Sequence, residues 1–346
     1  MLFDARSYDN HEKVVFCRDP QAGLSAIIAI HSTRLGPAAG GCRMFPYASD
    51  ADALDDVLRL SRSMTYKNAL AGLPLGGGKS VVIADPGTEP KAARLEAFGR
   101  CVETLGGAYW TAEDIGVNLD AVEIIGRRTK HVFGTRSGAC ATGDPSAFTA
   151  RGVLAGLAAA VRHRLRRADI AGVRVAVQGV GAVGWEICAQ LKEQGAVLVV
   201  ADRDDQRAAN AAAVFGADVE ATDRIHASAV DVFAPCATVG VLDVRTVAEL
   251  KAKVVCGAAN NPLATRADGV ALKERGVLYA PDFVVNAGGM MHASGEIFGH
   301  YDAPAVLAKI DAIAITCQEI FRRAEAEQAL PEDIALDMAK ARIAAA

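Results

Sequence analysis

The run Gly179-Val180-Gly181-Ala182-Val183-Gly184 constrains this chain more than any other feature. It follows a strand-like stretch, Val173-Arg174-Val175-Ala176-Val177, and leads into a helical pattern that begins near Trp185. A second strand-like run, Val197 to Ala201, then ends in Asp202. A lone G-x-G-x-x-G is a weak signal. With a strand before it, a helix after it and an acid closing the next strand, it becomes the fingerprint of a Rossmann-type dinucleotide fold. Gly179 permits the tight turn, Gly181 lets the backbone approach a pyrophosphate, and Gly184 lets the helix lie close to the sheet. The N–H groups around Ala182 and Val183 at the helix start face the phosphates. Asp202 accepts hydrogen bonds from the adenosine ribose and repels a 2′-phosphate, so NAD is expected rather than NADP. Arg203, next in the chain, is a further candidate at this site. The competing reading is a glycine-rich turn that binds nothing, and the coincidence of three independent features counts against it.

A chain of 346 residues accommodates two domains. The first half alternates strand and helix patterns. Lys13 to Cys17 and Leu24 to His31 read as strands, Leu54, Val57, Leu58, Ser61 and Met64 as one helix face, and Ser80 to Ile83 as another strand. The small, polar stretch Thr135 to Asp144 reads as a boundary or hinge. The expected division is an α/β substrate-binding and oligomerisation domain over 1–140, completed by C-terminal helices from about 325 to 346. A Rossmann-type domain over 141–324 follows it, with a cleft between the two.

Net charge is −4, which gives no electrostatic footprint for nucleic acid or an anionic membrane. No apolar run is long enough to span a bilayer, and the first residues lack a secretory pattern, so a cytoplasmic enzyme is expected. The eight cysteines form no C-x-x-C pair and read as reduced thiols. The histidines show no H-E-x-x-H, so no metal is expected.

Two lysines stand out, Lys67 in Met64-Thr65-Tyr66-Lys67-Asn68 and Lys79 after Gly76-Gly77-Gly78. A lysine can anchor a carboxylate or, in a suitable environment, act as a base. Either one alone is more simply an exposed helix or turn lysine. Three glycines before Lys79 cost chain entropy, and they suggest a backbone that must come close to a ligand.

The motifs Leu35 to Met44, Met64 to Lys67, Gly72 to Lys79, Thr111 to Asp114, Val177 to Gly184, Ala234-Pro235-Cys236, Gly257 to Asn261, Tyr279 to Asp282 and Asn286 to Gly289 run in one order over nearly the whole chain. In this the sequence resembles the leucine/phenylalanine/valine branch of the glutamate dehydrogenase superfamily. The resemblance implies that Lys79 activates water, that Asp114 takes part in proton transfer at the amine, and that Lys67 binds the substrate carboxylate. It implies that Gly40 and Gly41 lie along the substrate. It also places Asn261 near substrate and nicotinamide, with Asn260 beside it, and Thr149 and Asn286 near the carboxamide. Cys236 and Ala237 belong to a loop beside the cofactor. Glu113 is a rival for the role of Asp114. The resemblance further implies a homo-oligomer.

Glutamate-specific relatives place a lysine where Ala39 stands and a serine where Ala293 stands. Two alanines cannot hold a side-chain carboxylate, and burying one unpaired is costly. An apolar L-amino acid is therefore expected, with leucine, valine or isoleucine favoured. Ala39 and Ala293 widen the pocket relative to leucine enzymes, whereas Met290 fills it, so phenylalanine is the alternative. A catalytically inactive NAD-binding regulator would need a broken lysine or aspartate. A 2-hydroxy-acid dehydrogenase would need a histidine–acid constellation. Thr238-Val239 departs from the usual Leu-Gly of the family.

Overall fold

The computed structural model describes residues 2–89, 91–137, 140–237 and 239–346. Gly138 and Ala139 of the expected hinge, and Thr238, lie outside the described residues. The chain divides into two compact units. One comprises Met1–Asp144, His292–Asp302 and Ala339–Ala346, and the other Pro145–Met291 and Ala303–Met338. The first unit therefore takes back only the last eight residues, not a stretch from about 325, and it also includes the segment from His292. The helices between 303 and 338 belong to the second unit because they bury Ile313, Cys317, Ile320 and Phe321 beside the helix after Pro145.

In the first unit the strands are β1 (Lys13–Asp19), β2 (Leu24–Ser32), β3 (Ala38–Ala39), β4 (Cys42–Phe45), β5 (Gly76–Ile83) and β6 (Tyr109–Trp110). The helices are α1 (Asp50–Leu70), α2 (Lys91–Glu103) and α3 (Leu119–Gly126). The sheet runs β1-β2-β5-β3-β6, with β4 also paired to β5. β1, β2 and β5 are antiparallel neighbours, whereas β3 and β4 both run parallel to β5. β3 opposes Gly76 and Gly77, and β4 opposes Ser80 to Ile83. The break between them, Gly40-Gly41, thus falls beside Gly78 and Lys79.

α1 starts at Ser49, whose hydroxyl accepts the Asp52 N–H at 3.1 Å. Its buried face, including Val57, Leu58, Ser61, Thr65 and Asn68, lies on β5 and β2. Each large apolar side chain buried there stabilises the fold by about 1.5–3 kcal/mol. β5 begins at Gly76, so the three glycines and Lys79 are strand residues and not a turn. The apolar alternation that signals a strand was invisible in Gly-Gly-Gly.

The second unit opens with α4 (Ser146–Leu165), then β7 (Arg174–Gln178), α5 (Ala182–Glu193), β8 (Val197–Ala201), α6 (Asp205–Phe215) and β9 (Asp218–Val219). β10 (Val232–Pro235), α7 (Val244–Glu249), β11 (Val254–Val255), α8 (Arg266–Glu274) and β12 (Leu278–Tyr279) follow. After them come α9 (Asp282–Val285), α10 (Gly288–Phe298), α11 (Ala303–Asp311), α12 (Ile313–Ala326) and α13 (Pro331–Ala344), of which α10 from His292 and α13 from Ala339 belong to the first unit. The sheet is entirely parallel, in the order β12-β11-β10-β7-β8-β9. Counted from β7, this is the doubly wound 6-5-4-1-2-3 order, and strand order reverses between β7 and β10. Ligands of such sheets bind at that switch point, beyond the carboxyl ends of the strands.

No described helix is long and apolar enough to cross a membrane.

Candidate active site

In the first unit, Lys79 and Asp114 form a close ion pair between Nζ and Oδ2. Lys79 is 7% exposed. It is delivered by β5, and Asp114 by the loop after β6. The other oxygen of Asp114 accepts the Ile115 N–H at 2.6 Å and lies 3.6 Å from Nη2 of Arg43 in β4. Burial would raise the Asp114 carboxyl, but the Lys79 ammonium and Arg43 guanidinium outweigh it and hold the pKa at about 2. Asp114 is therefore an anion across the neutral range. Its neighbour Glu113 goes the other way: burial and the Asp144 and Asp114 carboxylates push it up. The two adjacent acids are thus differentiated, and Asp114 is the one that meets the lysine.

The glycines around this pair are closed in by the chain itself. A Cβ on Gly77 would sit 2.1 Å from the Thr65 backbone nitrogen, and one on Gly78 would sit 2.7 Å from the Tyr109 ring. One on Gly76 would sit 2.0 Å from the Ser32 carbonyl. The expectation that this run makes room for a ligand is therefore corrected: it lets α1, β2 and Tyr109 pack directly on β5. Gly40 and Gly41 are equally confined, by the Gly78 and Glu113 carbonyls at 2.0 and 2.2 Å from the built Cβ. The buried Tyr109 hydroxyl donates to the Gly40 carbonyl at 2.8 Å and lies 3.0 Å from Ser80 Oγ. Asn68 Nδ2 donates to the Gly76 carbonyl at 2.6 Å, tying α1 to the start of β5. Lys67, half-buried, precedes it on the same helix. Ala39 is fully buried in β3 and Ala293 is buried in α10.

In the second unit the fingerprint glycines divide three tasks. Gly179 has φ +94°, a left-handed turn position. A Cβ on Gly184 would meet the Gly179 carbonyl at 1.9 Å, so this glycine seats α5 on the turn. A Cβ on Gly181 would meet nothing within 4 Å. Gly181 is also the N-cap of α5, and no side chain among the described residues caps that end, so its first N–H groups could face an anion. Val180 and Asp204 N–H both donate to Asp202, at 2.9 Å each. They hold its carboxylate over the turn, at the end of β8. Arg203 is exposed. These residues fit a dinucleotide pyrophosphate and ribose.

The remaining candidates of this unit form a second network. Asn286 Nδ2 donates to the Ala258 carbonyl at 3.1 Å and to Asn260 Oδ1 at 2.9 Å, and its own buried Oδ1 has no partner among the described residues. Asn261 sits at φ +49°. Its N–H donates to Asp282 at 2.9 Å, and the Tyr279 hydroxyl donates to the same carboxylate at 2.8 Å. Thr149 Oγ1 donates to the Pro145 carbonyl at 3.1 Å and would lie 2.4 Å from a Cβ on Gly289. Cys236 N–H donates to the Gln178 carbonyl at 2.8 Å, and Ala237 closes over Gly179. Met290 is half-buried in α10. Among the described residues, no group of three or more His, Cys, Asp or Glu is placed to hold a metal.

Sequence reasoning assigned no role to Arg43, Asp56, Tyr109 or Asp282. Arg43 lay inside a quoted motif, and a charged residue amid Cys42 and Met44, both buried, is a signal that it has an inward partner.

Comparison with known proteins identifies the family. The model of the Glu/Leu/Phe/Val dehydrogenase dimerisation domain matches residues 11–131, and that of glutamate/leucine/phenylalanine/valine dehydrogenase matches residues 202–327. The leucine dehydrogenase of Geobacillus stearothermophilus is 43% identical over 343 residues, covering 99% of this chain and 93% of that one. The phenylalanine dehydrogenase of Bacillus thermotolerans is 41% identical over 350 residues, covering 99% and 91%. The solved L-tryptophan dehydrogenase of Nostoc punctiforme matches with a TM-score of 0.83 at 39% identity, over 96% of each chain. The chain belongs to the Glu/Leu/Phe/Val dehydrogenase family and is an amino-acid dehydrogenase of the NAD(P)-dependent type.

Proposed function

We propose that this enzyme catalyses the reversible, NAD-linked oxidative deamination of an apolar L-amino acid, with leucine, valine or isoleucine preferred. The substrate ammonium, NAD⁺ and water give the 2-oxo acid, ammonium, NADH and a proton. The observation that carries the reading is the buried Lys79–Asp114 pair. Bound NAD supplies a hydride acceptor. The chain supplies the rest. Lys67 binds the substrate carboxylate. The Asp114 anion stabilises the positive charge at nitrogen and takes part in its proton transfers. Lys79, as the neutral amine once its ammonium has released a proton, takes a proton from the water that attacks the iminium carbon and returns it to the departing amine. Asp202, fixed by two backbone N–H groups, favours a free ribose 2′-hydroxyl and so NAD over NADP.

Ala39 and Ala293, both buried, offer no charge to a side-chain carboxylate. Their small size also supports a second reading, an aromatic substrate, since phenylalanine and tryptophan enzymes are nearly as similar as leucine enzymes. A homo-oligomer is proposed, on the match to a dimerisation domain. NADH and ammonia formation across leucine, valine, isoleucine, phenylalanine and glutamate tests the function. Apolar turnover with glutamate inert is expected, and glutamate as the best substrate refutes it.

A further inference from the structure

Behind the reacting pair the charges alternate in an unbroken line. Lys79 meets Asp114, which lies 3.6 Å from Arg43 Nη2. Arg43 Nη1 donates to Asp56 Oδ2 at 2.9 Å. Asp56 in turn accepts from Arg59 at 2.6 Å and from the Tyr47 hydroxyl at 2.7 Å. Arg43, Asp56 and Asp114 side chains are only 14%, 16% and 14% exposed.

We propose that Arg43, anchored by Asp56, is a positioning residue that holds the Asp114 carboxylate against Lys79 during turnover. The inference rests on the reading of Lys79 and Asp114 as the reacting pair. Each Asp114 oxygen faces one cation, so the carboxylate cannot simply swing with Lys79 as that side chain exchanges protons. The guanidinium reaches both aspartates because its two Nη atoms diverge in a rigid plane, which a lysine ammonium cannot copy. Its buried Nε has no partner among the described atoms, so the two carboxylates set its position.

The groups facing Asp114 identify Arg43 as the tuning charge. Lys79 comes from β5 and Arg43 from β4, and Glu113 adjoins on the same loop. Cys42, Tyr47 and Tyr109 also face it, and burial pushes all three up, so they remain neutral. Removing Arg43 leaves Lys79 as the one remaining positive neighbour among the described residues.

The test uses the full-length enzyme with the amino acid it oxidises fastest. Arg43→Gln is expected to lower kcat about 100-fold with KM little changed, and to move the acid limb of the kcat profile up by about 1–3 pH units. Arg43→Lys restores part of both. Asp56→Asn, which keeps the cation and frees its outer anchor, lowers kcat about tenfold and, by removing a negative charge, moves the limb in the opposite direction. If Arg43→Gln does not fold, the other two variants decide by the same readouts. A purely structural ion pair would change the folded yield and leave the limb of the folded enzyme in place. Unchanged kcat and an unchanged limb in folded Arg43→Gln, or in Asp56→Asn where the former does not fold, overturn the inference. Wild-type enzyme that oxidises no amino acid overturns the underlying reading, and this inference with it.

Discussion

At Gly181 an added methyl group would meet nothing within 4 Å, whereas at Gly77 it would lie 2.1 Å from the Thr65 backbone nitrogen. Both residues belong to glycine-rich runs beside a proposed site, yet the run in the second unit keeps space open at this glycine where the run in the first has none to spare. The open glycine faces the uncapped start of α5, where the proposed function puts a phosphate. The closed ones let α1 and Tyr109 press on β5, and that packing fixes where Lys79 emerges. A glycine run near a site therefore has two physical meanings, and only the surroundings of each missing Cβ separate them.

Substitution at the two positions should split this contrast most sharply. Gly77→Ala is expected to destabilise the protein by about 3 kcal/mol or more, because the clash is with backbone and cannot be relieved by a rotamer change. Urea unfolding measures it. An unchanged midpoint would show that α1 and β5 are not packed as described. Gly181→Ala should leave the same midpoint within about 0.5 kcal/mol while weakening dinucleotide binding about tenfold, or about 1.4 kcal/mol. A calorimetric titration checks this, and unaltered affinity would argue against phosphate contact at that face.

The two units also treat a buried acid differently. Asp114 is held down to about 2 because two cations outweigh its burial. Its stabilising contribution is present above the unfolded value of 3.8 and is lost as pH falls through about 2. Glu332, on α13, is pushed up to about 7 by burial and by the Asp282 and Asp333 carboxylates. Its contribution is present below 4.5 and is lost as pH rises through about 7. Thermal unfolding of Glu332→Gln should therefore be flatter than wild type between these two values. An identical slope would show that this carboxyl does not couple to folding. The smallest effect expected is at Asp202. Asp202→Ser should weaken NAD binding modestly and narrow the preference over NADP, as measured by the ratio of kcat/KM for the two coenzymes. An unchanged ratio would remove Asp202 from that choice.

The dinucleotide unit was legible in the sequence because its signal is local. Strand, glycines, helix and acid lie within one β-α-β stretch, and β8 runs from Val197 to Ala201 as the β-branched run indicates. The first unit was harder. The glycines of β5 carry no alternation, and β3 and β6 are two residues each, too short to leave a pattern. The Lys79–Asp114 pairing joins residues from separate elements, so no spacing rule produces it; only the family resemblance proposed it. The Arg43–Asp56 extension has the same long-range character and lay beyond both kinds of reading. The C-terminal return was overextended for a related reason: α12 is amphipathic and α13 is hardly so, and neither pattern says which unit the helix covers.

The central claim is a division of labour, with reaction chemistry at Lys79 and dinucleotide binding at the Gly179–Gly184 turn. Lys79→Ala tests it most directly when turnover and NAD binding are measured on the same preparation. The account predicts oxidation reduced by about 10³-fold or more with NAD affinity within a few-fold of wild type. Substantial turnover in that variant, or loss of NAD binding along with activity, would contradict it.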